Sequence, residues 1–191
     1  MNEKPKWKSL WTPSHKWYLL WLPAGAFVAI LVGVIGTIAF NTVIHATNSN
    51  AFCYSCHVGM DTIVEEYQAS SHYDQRHGVV KAECHDCHVP KEFFPKMVVK
   101  VTAMKDIYHK LVGTVNLDNF ESLRGHQAEA VWQVYRENDS KFCRNCHNVE
   151  TWDLSLQEKR ARKKHDPQRW QERGETCIDC HSGIAHKLPE D

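Results

Sequence analysis

Residues 177–181 read CIDCH, and this Cys-x-x-Cys-His pattern occurs four times in the chain. The other copies are CYSCH at 53–57, CHDCH at 84–88 and CRNCH at 143–147. The pattern is the attachment signature of c-type haem. Two thiols bond to the haem vinyl groups, and the adjacent histidine places an imidazole on the iron. Four copies that use all 8 cysteines predict four covalently bound haem c groups.

The residues of these motifs are the first candidate site residues. The cysteines predicted to carry haem are Cys53, Cys56, Cys84, Cys87, Cys143, Cys146, Cys177 and Cys180. The motif histidines predicted to ligate iron are His57, His88, His147 and His181. Zinc ribbons and a disulfide framework are the competing interpretations, but neither needs a histidine directly after each second cysteine. Thioredoxin-like chemistry would need a βαβ pattern, and none is visible.

The second clear feature is an uncharged hydrophobic segment at 17–40. About 20 apolar residues suffice to cross a bilayer core, and a signal-peptide core is shorter. We therefore expect a permanent transmembrane anchor at 17–40, preceded by a basic N-terminus at 1–16. The preceding charges are four lysines against one glutamate, which places the N-terminus in the cytoplasm by the positive-inside rule. The chain beyond the anchor is then predicted to be periplasmic, on a bacterial inner membrane.

The remaining chain divides into two similar units, predicted at 41–142 and 143–191, with two motifs each. Each unit carries a histidine 12 residues before its second motif: His72 before Cys84, and His165 before Cys177. Haem iron in an electron carrier usually takes two strong axial ligands, and each motif supplies only one. His72 and His165 are therefore candidate distal ligands. His186, five residues after the last motif, is the third candidate.

The linking segments read as helices. Amphipathic helices are expected at 62–71, at 95–112 with Gly113 at its end, and at 121–137 with Val131, Val134 and Tyr135 facing inward. A further helix is expected at 151–173, interrupted by Pro167. No strand alternation is evident. Mean hydropathy is −0.50 despite the anchor, so the outer domain is very polar. We predict an all-α fold: one N-terminal transmembrane helix and a small helical domain whose core is formed by the four haems.

Four stretches carry a resemblance to a known family. They read EEYQASSHY, ECHDCHVPKEFFPKMVVK, DSKFCRNCHN and TCIDCHSGIAHKLPE. Over essentially its whole length the chain resembles the NapC/NirT family of membrane-anchored tetrahaem quinol dehydrogenases, and it is closest to the NapC branch. The resemblance implies a relay from membrane quinol through the haems to a periplasmic reductase. It also implies distal roles for His72, His165 and His186, and a quinol pocket beside Lys100 and Asp106.

That quinol pocket makes chemical sense. Oxidation of a quinol releases two protons, so the Asp106 carboxylate is expected to accept a proton and Lys100 to hydrogen-bond a ring oxygen. The flanking KEFFPKMVVK segment is expected to dip into the membrane interface. Without the resemblance, both residues would read as part of a solvated helix face.

The first haem is where the pattern leaves alternatives open. In some relatives a methionine after the first motif ligates the iron; here Met60 follows His57 by three residues, one position further on. Many relatives have a histidine where this chain has Lys91, which leaves a distal role for that position open. The first haem is thus His57 or Met60 ligated, or high-spin with Asp106 nearby.

The functional prediction is a membrane-bound cytochrome of anaerobic respiration that oxidises menaquinol or ubiquinol. Its predicted partners are membrane lipid and a periplasmic reductase or that reductase's small cytochrome c subunit, with nitrate reduction favoured. Donation to nitrite, trimethylamine N-oxide or fumarate reductases stays open, as do a terminal multihaem reductase and a tethered shuttle. A net charge of 0 implies no nucleic-acid partner. Oligomerisation is left open.

Overall fold

A computed structural model describes residues 18–19, 22–56, 60–73 and 80–190. The chain forms two compact units, Met1–Asn48 and Ser49–Asp191. The described residues are almost entirely helical: apart from one two-residue strand pair, every regular element is an α-helix or a 3-10 turn. The predicted all-α class is confirmed.

The first unit contains the apolar helix. Strand β1 (Tyr18–Leu19) pairs antiparallel with β2 (Leu22–Pro23), and helix α1 then runs over Ala24–Ala46. With 23 residues and a mean hydropathy of 2.3, α1 is long and apolar enough to cross a membrane. The helix begins later than the predicted 17–40 segment because Pro23 is its extended N-cap, with φ −63° and ψ 140°.

Cys146 lies in a turn just after its helix, and the other motif cysteines lie in four short helices of the second unit. These are α2 (Asn50–Cys56), α4 (Cys84–His88), α8 (Lys141–Arg144) and α11 (Cys177–His181). A three-residue spacing on a helix puts both cysteines of a motif on one face. In α4 and α11, capping boxes fix the start of the helix: Glu83 with Asp86, and Thr176 with Asp179.

Longer helices connect the motifs: α3 (Met60–Ala69), α5 (Phe93–Thr102), α6 (Met104–Leu111) and α7 (Leu117–Glu137). The single helix predicted at 95–112 is wrong, because the chain breaks at Ala103. There the Thr102 hydroxyl donates to the Val98 and Val99 carbonyls, a competing bond that often bends helices. Helix α7 begins earlier than predicted because Asn116 caps it.

The helix predicted at 151–173 is also wrong in its first part. Two 3-10 turns, Val149–Thr151 and Leu154–Leu156, precede α9 (Lys159–Lys164) and α10 (Pro167–Glu172). The side chains of Asn148 and Asp153 each accept a backbone N–H two residues on, which stabilises turns instead of one helix. Pro167 starts α10 in the first turn, where its missing N–H is harmless.

Side chains alone supply a small core. Among the described residues, the buried large hydrophobics are Tyr67, Phe120, Tyr135 and Ile178. Tyr135 faces inward as predicted, whereas Val131 and Val134 are 36% and 49% exposed, so that part of the prediction is wrong. The second unit therefore relies on polar bonds between its helices and on what the motifs bind.

Candidate functional site

The first and second motifs lie side by side. The Cys53 and Cys84 side chains lie in contact with each other. The Cys84 backbone N–H also donates to the Asn50 side chain at 2.9 Å. Two motifs that are distant in sequence thus lie in contact, and Asn50 links α2 to α4.

The series continues in chain order. Helix α4 of the second motif contacts α8 of the third. The Tyr135 hydroxyl donates to the Cys87 carbonyl at 2.5 Å and ties the second motif to α7. The third motif then meets the fourth, where the Cys143 and Cys177 thiols are hydrogen-bonded. The chain therefore lines up its motifs first, second, third and fourth.

Ser140 is the joint between the third and fourth motifs. It is fully buried and adopts φ 49°, a left-handed backbone that L-residues other than Asn and Asp rarely take. Its hydroxyl accepts hydrogen bonds from the Thr176 hydroxyl at 2.9 Å and the Ile178 N–H at 3.2 Å. A strained backbone is retained here because the side chain secures α11 against α8.

Each predicted distal histidine faces a motif histidine. The ring centres of His72 and His147 are 6.2 Å apart, and those of His165 and His181 are 6.1 Å apart. His186 lies 6.4 Å from His88. Two imidazoles bonded to opposite sides of one metal, through bonds of about 2 Å each, have ring centres about 6 Å apart. All three pairs therefore fit a six-coordinate haem iron.

The rings are suited to bind iron in their neutral form. Burial lowers the pKa of His72, His165 and His186, and neutral imidazole is the form that ligates metal. The Nδ1 atoms of His72 and His186 are buried without a hydrogen-bond partner among the described residues. Each of the two rings therefore has one nitrogen that no group in the described part of the chain hydrogen-bonds.

His165 has a supporting partner. Its Nδ1 lies 2.7 Å from the side-chain oxygen of Gln157. A metal-bound histidine usually donates its other ring N–H to such an acceptor, which fixes the ring and raises its basicity. The Trp152 ring lies between His165 and His147, which belong to different histidine pairs. Its ring centroid is 5.3 Å from that of His165 and 6.5 Å from that of His147.

The first motif lies against the helices that carry the predicted quinol residues. Helix α2 contacts α6. Lys100, in the last turn of α5, is half-buried; burial lowers its pKa, and a nearby Cys53 charge opposes this. Asp106 is exposed in the first turn of α6, where a carboxylate suits the helix dipole. His57 and the Met60 side chain lie outside the described residues.

The zinc and disulfide alternatives find no support in the described part of the chain. None of the cysteine side chains that the structure describes forms a disulfide. Among the same residues, no group of three or more His, Cys, Asp or Glu side chains converges on a common point. The cysteines meet in pairs between motifs instead, Cys53 with Cys84 and Cys143 with Cys177.

Known proteins are similar to this chain over nearly its whole length. The model of the NapC/NirT cytochrome c family, N-terminal region, matches residues 13–191. The chain belongs to the NapC/NirT cytochrome c family. One relative in the family is the cytochrome c-type protein NapC of Escherichia coli (strain K12). It is 43% identical over 192 residues, which cover 98% of this chain and 90% of the relative.

The chain is also similar to two further proteins. The denitrification system component NirT of Stutzerimonas stutzeri is 45% identical over 164 residues, covering 85% of this chain and 80% of that protein. A protein of Allochromatium vinosum, described as a tetraheme cytochrome c type, is 44% identical over 158 residues, covering 82% and 84%. No solved structure matches. The family assignment makes the chain a haem c protein of electron transport.

Sequence reasoning alone missed four residues of this site: Ser140, Gln157, Glu66 and Arg124. Gln157 and Ser140 carry no sequence pattern of their own, because each acts through hydrogen bonds that form only in the folded chain. Glu66 and Arg124 form a pair that joins α3 to α7. This pair was not predicted either, because the sequence does not show which opposite charges on two separate helices meet.

Proposed function

We propose that this chain oxidises quinol at the membrane and relays the electrons through four haem c groups to a periplasmic reductase. The observation that carries the proposal is the pairing of three distal histidines with three motif histidines at 6.1–6.4 Å, in a series that begins beside Lys100. When bound, the haem c groups would supply one-electron transfer.

Eight cysteines and the paired histidines hold the four haems in this proposal. His88 and His186 would ligate the iron held at the second motif, His72 and His147 that at the third, and His165 and His181 that at the fourth. For the first motif, His57 and Met60 are both proposed ligands. An incompletely ligated first centre beside a quinol pocket would be functionally reasonable.

Electrons enter at the first motif. Lys100 donates a hydrogen bond to a quinol ring oxygen. The quinol loses two electrons, which would pass to the haem c groups, and two protons, of which the Asp106 carboxylate accepts one and water the other. The half-buried position of Lys100 supports the first role, because burial strengthens its hydrogen bond to an oxygen acceptor. The exposure of Asp106 supports the second, because an exposed carboxylate can release its proton to water.

Electrons leave at the fourth motif. Helix α9 ends at Lys164, directly before His165, and five of its six residues are basic: Lys159, Arg160, Arg162, Lys163 and Lys164. No ion pair to an acid is found for these five among the described residues. A cationic surface beside the last centre favours an acidic electron acceptor and speeds its encounter. The preferred acceptor is periplasmic nitrate reductase or its small cytochrome subunit.

The topology completes the proposal. Helix α1 anchors the chain in the bacterial inner membrane with the N-terminus in the cytoplasm, as the flanking lysines favour. The second unit then lies in the periplasm. Accessible-cysteine or protease mapping of right-side-out vesicles would test this orientation directly.

Stopped-flow haem reduction by menaquinol and ubiquinol analogues tests the function. The detergent-solubilised protein is compared with Lys100→Ala and Asp106→Asn. Fast reduction that is lost in both variants, with haem content and spectra intact, is the expected result. Lys105→Ala and Asp118→Asn are the matched controls, because they remove the same charges from exposed positions on α6 and α7.

A different outcome would redirect the assignment. If dithionite reduces the protein but neither quinol does, the relay proposal fails, and a terminal multihaem reductase or a tethered shuttle takes its place. Reduction that the two variants leave unchanged would keep the relay and move the pocket away from α5 and α6.

A further inference from the structure

A buried ion pair joins α3 to α7 on the side of the C-terminal tail. The Glu66 carboxylate and the Arg124 guanidinium form two bonds, Nη2 to Oε2 at 2.5 Å and Nη1 to Oε1 at 3.0 Å. Their side chains are only 8% and 11% exposed. A two-pronged bond of this kind fixes both side chains in one geometry.

The same two side chains form hydrogen bonds with the backbone of Lys187. Arg124 Nη2 donates to the Lys187 carbonyl at 2.7 Å, and the Lys187 N–H donates to Glu66 Oε2 at 2.9 Å. Both polar groups of one backbone residue are thereby held by charged partners. We call Glu66, Arg124 and the Lys187 backbone the tail clamp.

The clamp acts on the residue next to His186. The tail also packs on α7, where Pro189 lies near Gly125, the neighbour of Arg124. Because the tail has no regular secondary structure after His181, its position depends on such contacts. His186 directly precedes Lys187 of the clamp in the chain, and the centre of its ring lies 6.4 Å from that of His88.

We propose that Glu66 and Arg124 are positioning residues that hold the His186 imidazole over the iron of the second motif. The inference rests on the ligand assignment in the proposed function. A buried ion pair adds little net stability but specifies one geometry, and partners beyond the iron ligands orient those ligands and tune the metal. A ligand on a loose tail needs such a partner more than one in a helix.

The test compares Glu66→Gln with Glu121→Gln in the haem-loaded protein. Both substitutions remove one carboxylate bonded to Arg124, but Glu121 is exposed and bonds only the guanidinium, not the tail. His186→Ala identifies which low-spin ferric signal, seen by electron paramagnetic resonance, belongs to this centre. No quinol or acceptor is needed for the measurement.

Glu66→Gln is expected to shift or weaken that one signal and to raise the midpoint potential of that one haem, because a loosened imidazole stabilises ferric iron less. A tenfold loss in relative affinity for ferric iron corresponds to about 59 mV. Added imidazole should restore the low-spin signal. Glu121→Gln should leave the signals and potentials as in the unmodified protein.

Other outcomes separate the two proposals. If His186→Ala alters no low-spin signal, the ligand assignment itself is wrong. If His186→Ala alters one signal and Glu66→Gln behaves like Glu121→Gln, the clamp proposal is overturned while the assignment stands. Should Glu66→Gln fail to accumulate with haem, Arg124→Lys replaces it, because lysine keeps the charge but loses the two-pronged bond. The same selective change is then expected, and its absence overturns the proposal.

Discussion

The imidazole rings of His72 and His147 lie with their centres 6.2 Å apart, although His72 stands beside the second motif in sequence and His147 belongs to the third. His186 shows the same crossing, because it follows the fourth motif and faces His88 of the second. Only His165 faces the histidine of the motif nearest to it in the chain. The candidate distal histidines His72 and His186 thus each lie against a histidine of the other motif pair.

This crossing predicts the effect of removing His72. His72→Ala should convert one low-spin haem to a high-spin form, and His72→Ala combined with His186→Ala should convert two, because the two residues serve different irons. Electron paramagnetic resonance and magnetic circular dichroism count the converted haems. A double variant that converts only one haem would mean that His72 and His186 share a centre.

Gln157 should tune the haem of the fourth motif. Gln157→Leu removes the acceptor of the His165 Nδ1 hydrogen bond and should raise that haem's midpoint potential by about 60 mV, a tenfold change in relative ferric stabilisation. Gln157→Glu supplies a stronger acceptor and should lower the potential. Spectroelectrochemical titration measures both shifts. Shifts of the same sign in the two variants would contradict a hydrogen-bond mechanism.

The tail clamp should make stability sensitive to acid. Burial alone would raise the pKa of Glu66, but the hydrogen bonds from Arg124 and the Lys187 N–H leave it lowered. A lowered pKa contributes stability that is present above the unfolded value of about 4.3 and is lost as pH falls through the folded value. The free energy of unfolding of the unmodified protein should therefore exceed that of the Glu66→Gln variant by about 2 kcal/mol near neutral pH.

Denaturant titrations of both proteins from pH 6 to roughly pH 3 check this linkage. The difference between them should shrink as the pH falls, while Glu121→Gln stays close to the unmodified protein throughout. A difference that is the same at every pH would show that the lost stability comes from packing and not from the Glu66 charge.

The basic helix α9 should control delivery to an acidic acceptor. In dithionite-reduced protein, Lys159→Gln, Lys163→Gln and Lys164→Gln together should slow oxidation by an acidic plastocyanin about tenfold at low ionic strength. Arg162 is left in place because it donates to the Ser155 and Gln157 carbonyls near His165. The effect should fade with added salt, which screens exposed charges.

The control for this prediction removes three lysines from the other end of the motif series: Lys91, Lys96 and Lys105. This variant has the same net charge but an intact α9. Equal slowing in both triple variants would indicate a general charge effect and no preferred exit at the fourth motif.

Much of the architecture was predictable from local pattern. Apolar periodicity predicted most of α7, including its end at Glu137, and Gly113, which adopts φ 70°, lies just past the end of α6 as predicted. The predictions failed where short polar side chains compete for the backbone, as Thr102 does at the break between α5 and α6 and Asp153 does before α9. Such competition depends on side-chain geometry that periodicity does not record.

The anchor boundary shows a similar limit. Hydropathy located the apolar segment, but the helix starts only at Ala24 because Pro23 lacks a backbone N–H and serves as an extended N-cap. The inward faces of Val131 and Val134 were mispredicted for another reason: a helix with partners on several sides has no single apolar stripe.

The sequence by itself determined the haem motifs, the apolar anchor, the family and the three candidate distal histidines. These features are local, since the two thiols and the first imidazole of a centre must be adjacent in the chain to reach one macrocycle. Only the tertiary structure decided which distal histidine faces which motif, and that Glu66 and Arg124 hold the tail that carries His186. A distal ligand has no covalent tie to its haem, so its partner depends on where the chain returns in space.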